Sequence, residues 1–335
     1  MIENFPGTRY MGSKEKLIPY LSDVFENLEF DSAQDMMSGT GVVSYLLKKM
    51  NKEVQSNDYM YMNHIISKGL IENSHSKLDK QLTYKLLSPN NSNLFVTQTF
   101  PGLYYSEEDC LMIDSINNNI NEIENEFQFS LAKAALIRSC IKKRPRGIFA
   151  YTGIKYQDGR RDLKLSIADH FAENIVKMNK AVFDNKKQSI SLNMDYKNLS
   201  NEVDLVYLDP PYFSPLSDNE YVRRYHFVEG LAKDWRDVEI QPHTKTKKFK
   251  SYPSDFSRLE STKKAFEFIV NKYRESHIVI SYSSNSLPGK DFFIQLFSSY
   301  NRQLDIIEVD YRYNFANQHR NVKNKVIEYI MVSKR

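Results

Sequence analysis

Seven segments rich in β-branched and aromatic residues, most of them separated by stretches of helical periodicity, constrain this chain more than any other feature. They are Ser32 to Met37, Glu53 to Asn57, Ser189 to Met194, Val203 to Leu208, His277 to Tyr282, Gln303 to Val309 and Lys325 to Val332. Helical spacing fills Lys14 to Glu26, Val42 to Lys49, Ser261 to Arg274 and Phe292 to Tyr300. Such alternation predicts an α/β fold: an open, mostly parallel sheet with helices on both faces. No helix separates the last two segments, so they are expected to pair as a hairpin, with the last strand antiparallel.

The alternation fails once. Residues 61–188 lie where two successive strands should be joined, far more than a strand–helix connection needs. They predict an inserted, mostly helical domain, leaving 1–60 and 189–335 as one discontinuous domain. Within the insert, Ile113, Ile116, Ile120, Ile123 and Phe127 read as one helix, and Leu131, Leu136, Ile137, Cys140 and Ile141 as a second packed on it. Composition agrees with two such parts: 335 residues, 41% hydrophobic and 13% aromatic, exclude global disorder. Cys110 and Cys140 are too few for a disulfide framework or a four-thiolate zinc site, which suggests a reducing compartment. Met1 to Gly12 lacks a signal-peptide pattern and no apolar run reaches membrane-spanning length, so a cytoplasmic protein is expected. A net charge of +4 names no partner.

Chemistry concentrates at the expected strand ends. Asp209-Pro210-Pro211-Tyr212 follows the apolar run Val203 to Leu208, and ligands bind at strand ends in open α/β sheets. Two prolines hold an extended backbone whose carbonyls cannot return to a ladder. A carboxylate, a bare carbonyl and an aromatic face then surround one small space, which suits a planar base bearing an exocyclic amine. A proline-terminated strand with a buried Tyr is the plain structural alternative. Asp35-Met36-Met37-Ser38-Gly39-Thr40-Gly41 ends a strand and opens a helix, with glycines that permit close backbone approach to a cofactor. No G-K-[ST] follows, so it is not a phosphate loop. Asp58 and Asp195-Tyr196 close two further strands, either as contacts to a ribose diol or as ordinary turn residues. Thr8 to Lys14 precedes the first helix and brings a lysine that could meet a carboxylate.

In this order, Arg9-Tyr10-x-Gly12-Ser13-Lys14, Asp35-x-x-Ser38-Gly39-Thr40-Gly41, Asp58, Asp195 and Asp209-Pro210-Pro211-Tyr212 resemble the Dam-like, alpha-group adenine-N6 DNA methyltransferases. The resemblance covers roughly residues 5–60 and 189–335, and the family carries a target recognition domain where this chain has 61–188. It departs at Met37, usually Phe, and in the long basic and aromatic stretch at 213–260, expected to be an added loop near the DNA. What it implies is a Rossmann-like sheet that uses S-adenosylmethionine. Tyr10, Lys14, Asp58 and Asp209 would contact that cofactor, Ser38, Gly39, Thr40 and Gly41 would form its loop with Asp35 beside it, and Asp195 and Tyr196 would flank its adenine. Asp209, Pro210, Pro211 and Tyr212 would grip an adenine flipped from duplex DNA, a site-specific modification of the restriction-modification kind, with a cognate restriction endonuclease as a further possible partner. No metal is implied.

The basic stretch Arg138 to Lys164, interleaved with Phe149, Tyr151 and Tyr156, suits phosphate and base contacts. Lys142, Lys143, Arg144, Arg146, Tyr156, Arg160 and Arg161 are its DNA-binding candidates, joined by Arg223 and Arg224 and by Lys245 to Lys250. Glu107 to Glu126 holds seven acids and no base, and reads as a solvated helix face turned from DNA. A C5-cytosine enzyme needs a thiol near the fourth strand, which this chain lacks. Asp at 209 argues against N4-cytosine or glutamine methyl transfer, and no acidic cluster with a lysine supports a nuclease. The rivals are an rRNA guanine-N2 methyltransferase, which usually lacks the Tyr10-to-Lys14 element and a large insert, and a catalytically silent DNA-binding module, against which an intact Asp209 to Tyr212 argues.

Overall fold

Helix α1 (Ile18–Glu26) starts one turn after Lys14, with Pro19 in its first turn, where a missing N–H costs nothing. The computed structural model describes residues 2–151, 159–215, 220–252, 254–311 and 326–335. After α1 come β1 (Ser32–Asp35), α2 (Val42–Lys49), β2 (Glu53–Asn57) and α3 (Tyr61–Ser67), the last continuing as a π-helical turn through Glu72. The long connection then holds α4 (Lys80–Leu86), α5 (Phe95–Thr99), α6 (Glu107–Ile120), α7 (Glu126–Lys142), α8 (Arg161–Lys164) and α9 (Ile167–Ala181). The sheet resumes with β3 (Ile190–Leu192) and β4 (Leu205–Leu208), followed by α10 (Tyr221–Ala232), α11 (Leu259–Lys272), β5 (His277–Ser283), α12 (Lys290–Ser299), β6 (Asp305–Tyr311) and β7 (Val326–Ser333).

Among the described residues the strands form one seven-stranded sheet in the order β3-β2-β1-β4-β5-β7-β6. The pairs from β3 to β5 are parallel, whereas β7 runs antiparallel to both β5 and β6. This is the expected α/β sheet with its closing hairpin. β1 is where the strand order reverses, so the ends of β1 and β4 open a crevice between them. Side-chain alternation splits the core between the two faces. Leu205 and Tyr207 of β4 join α1, α2 and the long connection on one face, while Val206 and Leu208 join α11 and α12 on the other.

The described residues of 61–188 are mostly helical, as expected, but their apolar side chains do not form a core apart from the sheet. Ile65, Ile116 and Leu136 belong to the same cluster as Ala33 and Val54 of the sheet. The single helix expected from Ile113 to Phe127 is two, because Asn125 caps a new helix by accepting from the backbone of Phe127 and Gln128. The acidic stretch is also only partly a wet face. Asp114 accepts from the backbones of Val96 and Thr97, at 2.9 and 2.8 Å, and Asp109 pairs with Lys143 at 2.8 Å. Cys110 and Cys140 are buried, and burial pushes the Cys110 thiol up to about 12. The stretch 213–260 is not a loop alone: α10 is largely buried, and Lys133 of α7, wholly enclosed, pairs with Asp234 beyond it at 2.8 Å. No helix among the described residues is long and apolar enough to cross a membrane.

Candidate active site

The crevice at the ends of β1 and β4 is a cleft with a volume of about 310 Å³. Asp35 closes β1 inside it, buried, with Oδ2 accepting the Ser44 backbone N–H at 3.0 Å and its hydroxyl at 2.6 Å. Its Oδ1 is buried and has no hydrogen-bond partner among the described residues. Desolvation pushes this carboxyl up to about 7, opposed by the Ser44 hydrogen bonds. The chain then turns: Ser38 N–H donates to Asn57 O at 2.8 Å, and Gly39 and Gly41 take φ of 53° and 79°. A Cβ on Gly39 would also sit 3.3 Å from Tyr10 Cε1, so the residue is required for its conformation and for the close approach.

Asp58 follows β2 and ties that loop down, Oδ2 accepting from Gly39 N at 2.8 Å and Oδ1 from Met60 N at 2.8 Å. Burial lifts its carboxyl to about 6. Tyr10 stacks on Tyr225 and Tyr221, with ring centroids 4.7 and 5.6 Å apart, and its hydroxyl accepts from Asn63 at 3.0 Å. Across the cleft, Lys14 Nζ lies 2.7 Å from Asp209 Oδ1 and donates to Gly12 O at 2.9 Å. Burial raises the Asp209 carboxyl, and the charge of Lys14 pulls it back. Lys14 also stands 5.0 Å from the centre of the Tyr212 ring.

The cleft therefore collects Tyr10, Lys14, Asp35, Ser38, Gly39 and Thr40 with Asp58, Asp195, Tyr196, Asp209 and Pro211. Gly41, Pro210 and Tyr212 do not line it. Gly41 caps α2 behind the loop, Pro210 is buried, and Tyr212 stands beside Lys14. Asp195 is exposed and turns the chain by accepting from Lys197 N at 2.9 Å.

Several residues in and around the cleft lie outside the sequence motifs. Tyr221, Ser251, Tyr252 and Asp255 line the far wall, and Asp255 takes hydrogen bonds from Tyr196 at 2.8 Å and Lys197 at 2.6 Å. Glu229 of α10, buried, accepts from Tyr61 N and Met62 N at 3.0 and 2.9 Å, capping α3 where Met60 offers no side-chain cap. Glu328 of β7 accepts from the Tyr212 hydroxyl at 3.1 Å. An acid at an inward position of a buried strand was the available signal for it. Acids thus outnumber the one lysine buried beside Asp209, and the buried Oδ1 of Asp35 has no partner among the described residues. A cationic cofactor with a ribose fits that chemistry.

The basic stretch divides. Arg144 is 1% exposed, and donates to the backbone carbonyls of Tyr104, Ile148 and Tyr151 at 3.1, 3.3 and 2.8 Å. It is an interior residue, not the surface phosphate contact expected of it. Arg138 is likewise buried, donating to Pro6 O, to Thr8 Oγ1 at 2.6 Å and to Asn174 Oδ1 at 2.9 Å. Lys142 pairs with Asp162 at 3.5 Å and Lys143 with Asp109, both half-buried. Arg160 is half-buried against Pro145 O at 2.8 Å. Arg146 and Arg161 are exposed, the latter paired with Glu173. Arg223 is exposed, pairing with Glu220 at 2.7 Å, and Arg224 beside it is half-buried. Tyr156 lies outside the described residues. Arg9 joins the two regions: its guanidinium meets Asp162 and the carbonyls of Lys142 and Arg144, while Tyr10, the next residue, enters the cleft.

A family model described as D12 class N6 adenine-specific DNA methyltransferase matches residues 10–285. The chain is 24% identical to the type II methyltransferase M2.HphI of Haemophilus parahaemolyticus, over 98% of both chains. It is 24% identical to M.NlaIII of Neisseria lactamica, over 96% of this chain and 98% of that one. Modification methylase LlaI of Lactococcus lactis subsp. lactis is 25% identical over 86% of this chain, which spans 48% of that longer protein.

Proposed function

The chain belongs to the D12 class of N6 adenine-specific DNA methyltransferases, and from that premise we propose that it holds S-adenosylmethionine in the cleft and methylates an adenine flipped from duplex DNA directly, without a covalent enzyme intermediate. The observation that carries this reading is the Lys14–Asp209 pair at the strand reversal, between the cofactor-type loop and Tyr212. Membership of the class displaces the guanine-N2 and catalytically silent alternatives.

The bound cofactor supplies an activated methyl group on a sulfonium. Tyr10, Asp58 and the Ser38–Gly41 loop would hold it, with Asp195 and Tyr196 at its base and Asp35 behind the loop. Adenine N6 is a poor nucleophile because its lone pair is delocalised into the ring. Asp209 and the Pro210 carbonyl accept its two hydrogens, pull the nitrogen towards tetrahedral geometry and free the lone pair. Alignment then does most of the remaining work. Stacking on Tyr212 offsets part of the cost of unstacking, a few kcal/mol. Residues 61–188 would read the target, and 213–260 would wall the cleft and flank the DNA.

Expression in a host lacking the modification, followed by genome-wide mapping of N6-methyladenine, is expected to reveal one new methylated motif. Soluble protein without any new motif overturns the reading. The relatives' type II names support a cognate restriction endonuclease as partner, with the enzyme acting on cytoplasmic, nucleoid DNA.

Ionised Asp58 is the better acceptor for ribose hydroxyls, so cofactor affinity is expected to weaken as the pH falls through about 6. Asp58→Asn should remove most of that dependence. A dissociation constant flat across this range in the native protein, measured by calorimetry, rules out the ribose role.

Arg146 and Arg161 are exposed and lie within two residues of Arg144 and Asp162, which Arg9 contacts. Changing either to alanine is expected to lower the salt slope of DNA binding by roughly 0.9 per lost phosphate contact. Unchanged slopes for both move the DNA face elsewhere.

A further inference from the structure

Tyr212 is held from three sides. Its hydroxyl donates to Glu328 Oε2 at 3.1 Å, Tyr282 meets the ring edge-on at 5.1 Å, and Lys14 stands 5.0 Å from the ring centre. Glu328 is 1% exposed, on β7 between β5 and β6, paired in register with Ser283 of β5 and Val309 of β6. A buried carboxylate there is expensive, and an apolar side chain would serve packing better. The phenol has one hydrogen to donate, and Asp209 is the rival acceptor, its carboxyl, raised by burial, being pulled back in part by a hydrogen bond from Tyr212. In the reaction, however, Asp209 must turn its oxygen to the adenine amine and give up that contact.

We propose that Glu328 is a positioning residue for methyl transfer, keeping the Tyr212 hydroxyl anchored when the target adenine claims Asp209. The inference rests on the reading of Asp209 to Tyr212 as the target-base site. Without a second acceptor, the phenol would either compete for Asp209 or lose its hydrogen bond on substrate entry, and the ring would turn away from the base. A carboxylate accepting from the phenol also makes the ring more electron-rich. That favours the positive charge that develops on N6 over the ring as the methyl group arrives.

The test uses the full chain with a duplex of the mapped target sequence, and the same duplex carrying 2-aminopurine in place of the target adenine. Glu328→Leu and Tyr212→Phe are each expected to lower kcat by roughly tenfold or more, the worth of a hydrogen bond to a charged group. The double variant should be no worse than the poorer single one, because both remove the same bond. Glu328→Gln, whose amide oxygen still accepts, should recover most of the loss. Cofactor affinity should stay put, and 2-aminopurine fluorescence should rise in Glu328→Leu as the stacked base loosens. Losses that multiply in the double variant overturn the proposal. If Glu328→Leu does not fold, Tyr212→Phe decides: native kcat and native fluorescence in that variant overturn it equally. Failure of the underlying reading would look different, as retained turnover by Asp209→Ala.

Discussion

Asp209→Ala is expected to lower kcat by about 10²–10³-fold, the scale on which a single group preorganised for the transition state contributes. The group is positioned before substrate arrives: Lys14 holds one oxygen at 2.7 Å, and the strand β4 ends one residue earlier. The structure adds a consequence that the motif alone does not carry. Lys14 has a side chain only 7% exposed, so removing its partner leaves a charge largely out of water. Its hydrogen bond to Gly12 O offsets part of that cost. Asp209→Asn keeps an oxygen for the adenine amine and for Lys14, and should fall between native and alanine in turnover. Cofactor binding by Asp209→Ala, measured separately, distinguishes loss of chemistry from collapse of the cleft. Turnover within tenfold of native would abolish the direct-transfer mechanism proposed above.

The sheet and the motifs at its strand ends were legible because both depend on short-range pattern. Leu205 to Leu208 is apolar throughout, as a strand buried on both faces must be, and Asp209 follows it whatever lies elsewhere. The order reversal at β1 then brings Asp35 and Asp209 to neighbouring strands by topology alone. What sequence did not reveal depends on partners far along the chain. Glu229 caps a helix 168 residues earlier in the sequence. Tyr221 and Tyr225 look like members of an ordinary helix until Tyr10 stacks on them. Asp109 and Asp114 share composition with the exposed acids around them, and what sets them apart is distant donors: the backbones of Val96, Thr97 and Ile167, and the Lys143 ammonium. The candidate cofactor residues were closer to recoverable than the candidate DNA-binding residues for the same reason. A strand end has a fixed position, whereas a basic residue's direction depends on the helix or loop that carries it.

Arg144 is where that difference is largest. In sequence it is one of five cations between Arg138 and Arg146, and a phosphate contact is the natural expectation. In the fold its guanidinium lies 5.0 Å from the Tyr104 ring centre, 5.7 Å from Phe149 and 5.2 Å from Tyr151, with three backbone carbonyls as acceptors. Arg144→Ala leaves those carbonyls without their donor and opens a void among the rings, a loss of roughly 3–5 kcal/mol. At about 2.1 cal/mol/K per residue, a chain of 335 residues should then melt roughly 4–7 °C lower. Arg144→Lys keeps the charge but not the planar fork that spans three acceptors, so it should melt nearly as low. At a temperature where both variants stay folded, the salt slope of DNA binding should equal that of the native protein, in contrast to Arg146→Ala and Arg161→Ala. A native melting temperature with a reduced slope would return Arg144 to the DNA face. A lowered melting temperature with an unchanged slope makes it the brace that holds the chain from Tyr104 to Tyr151 together, and so acts on DNA only through the position it gives Arg146.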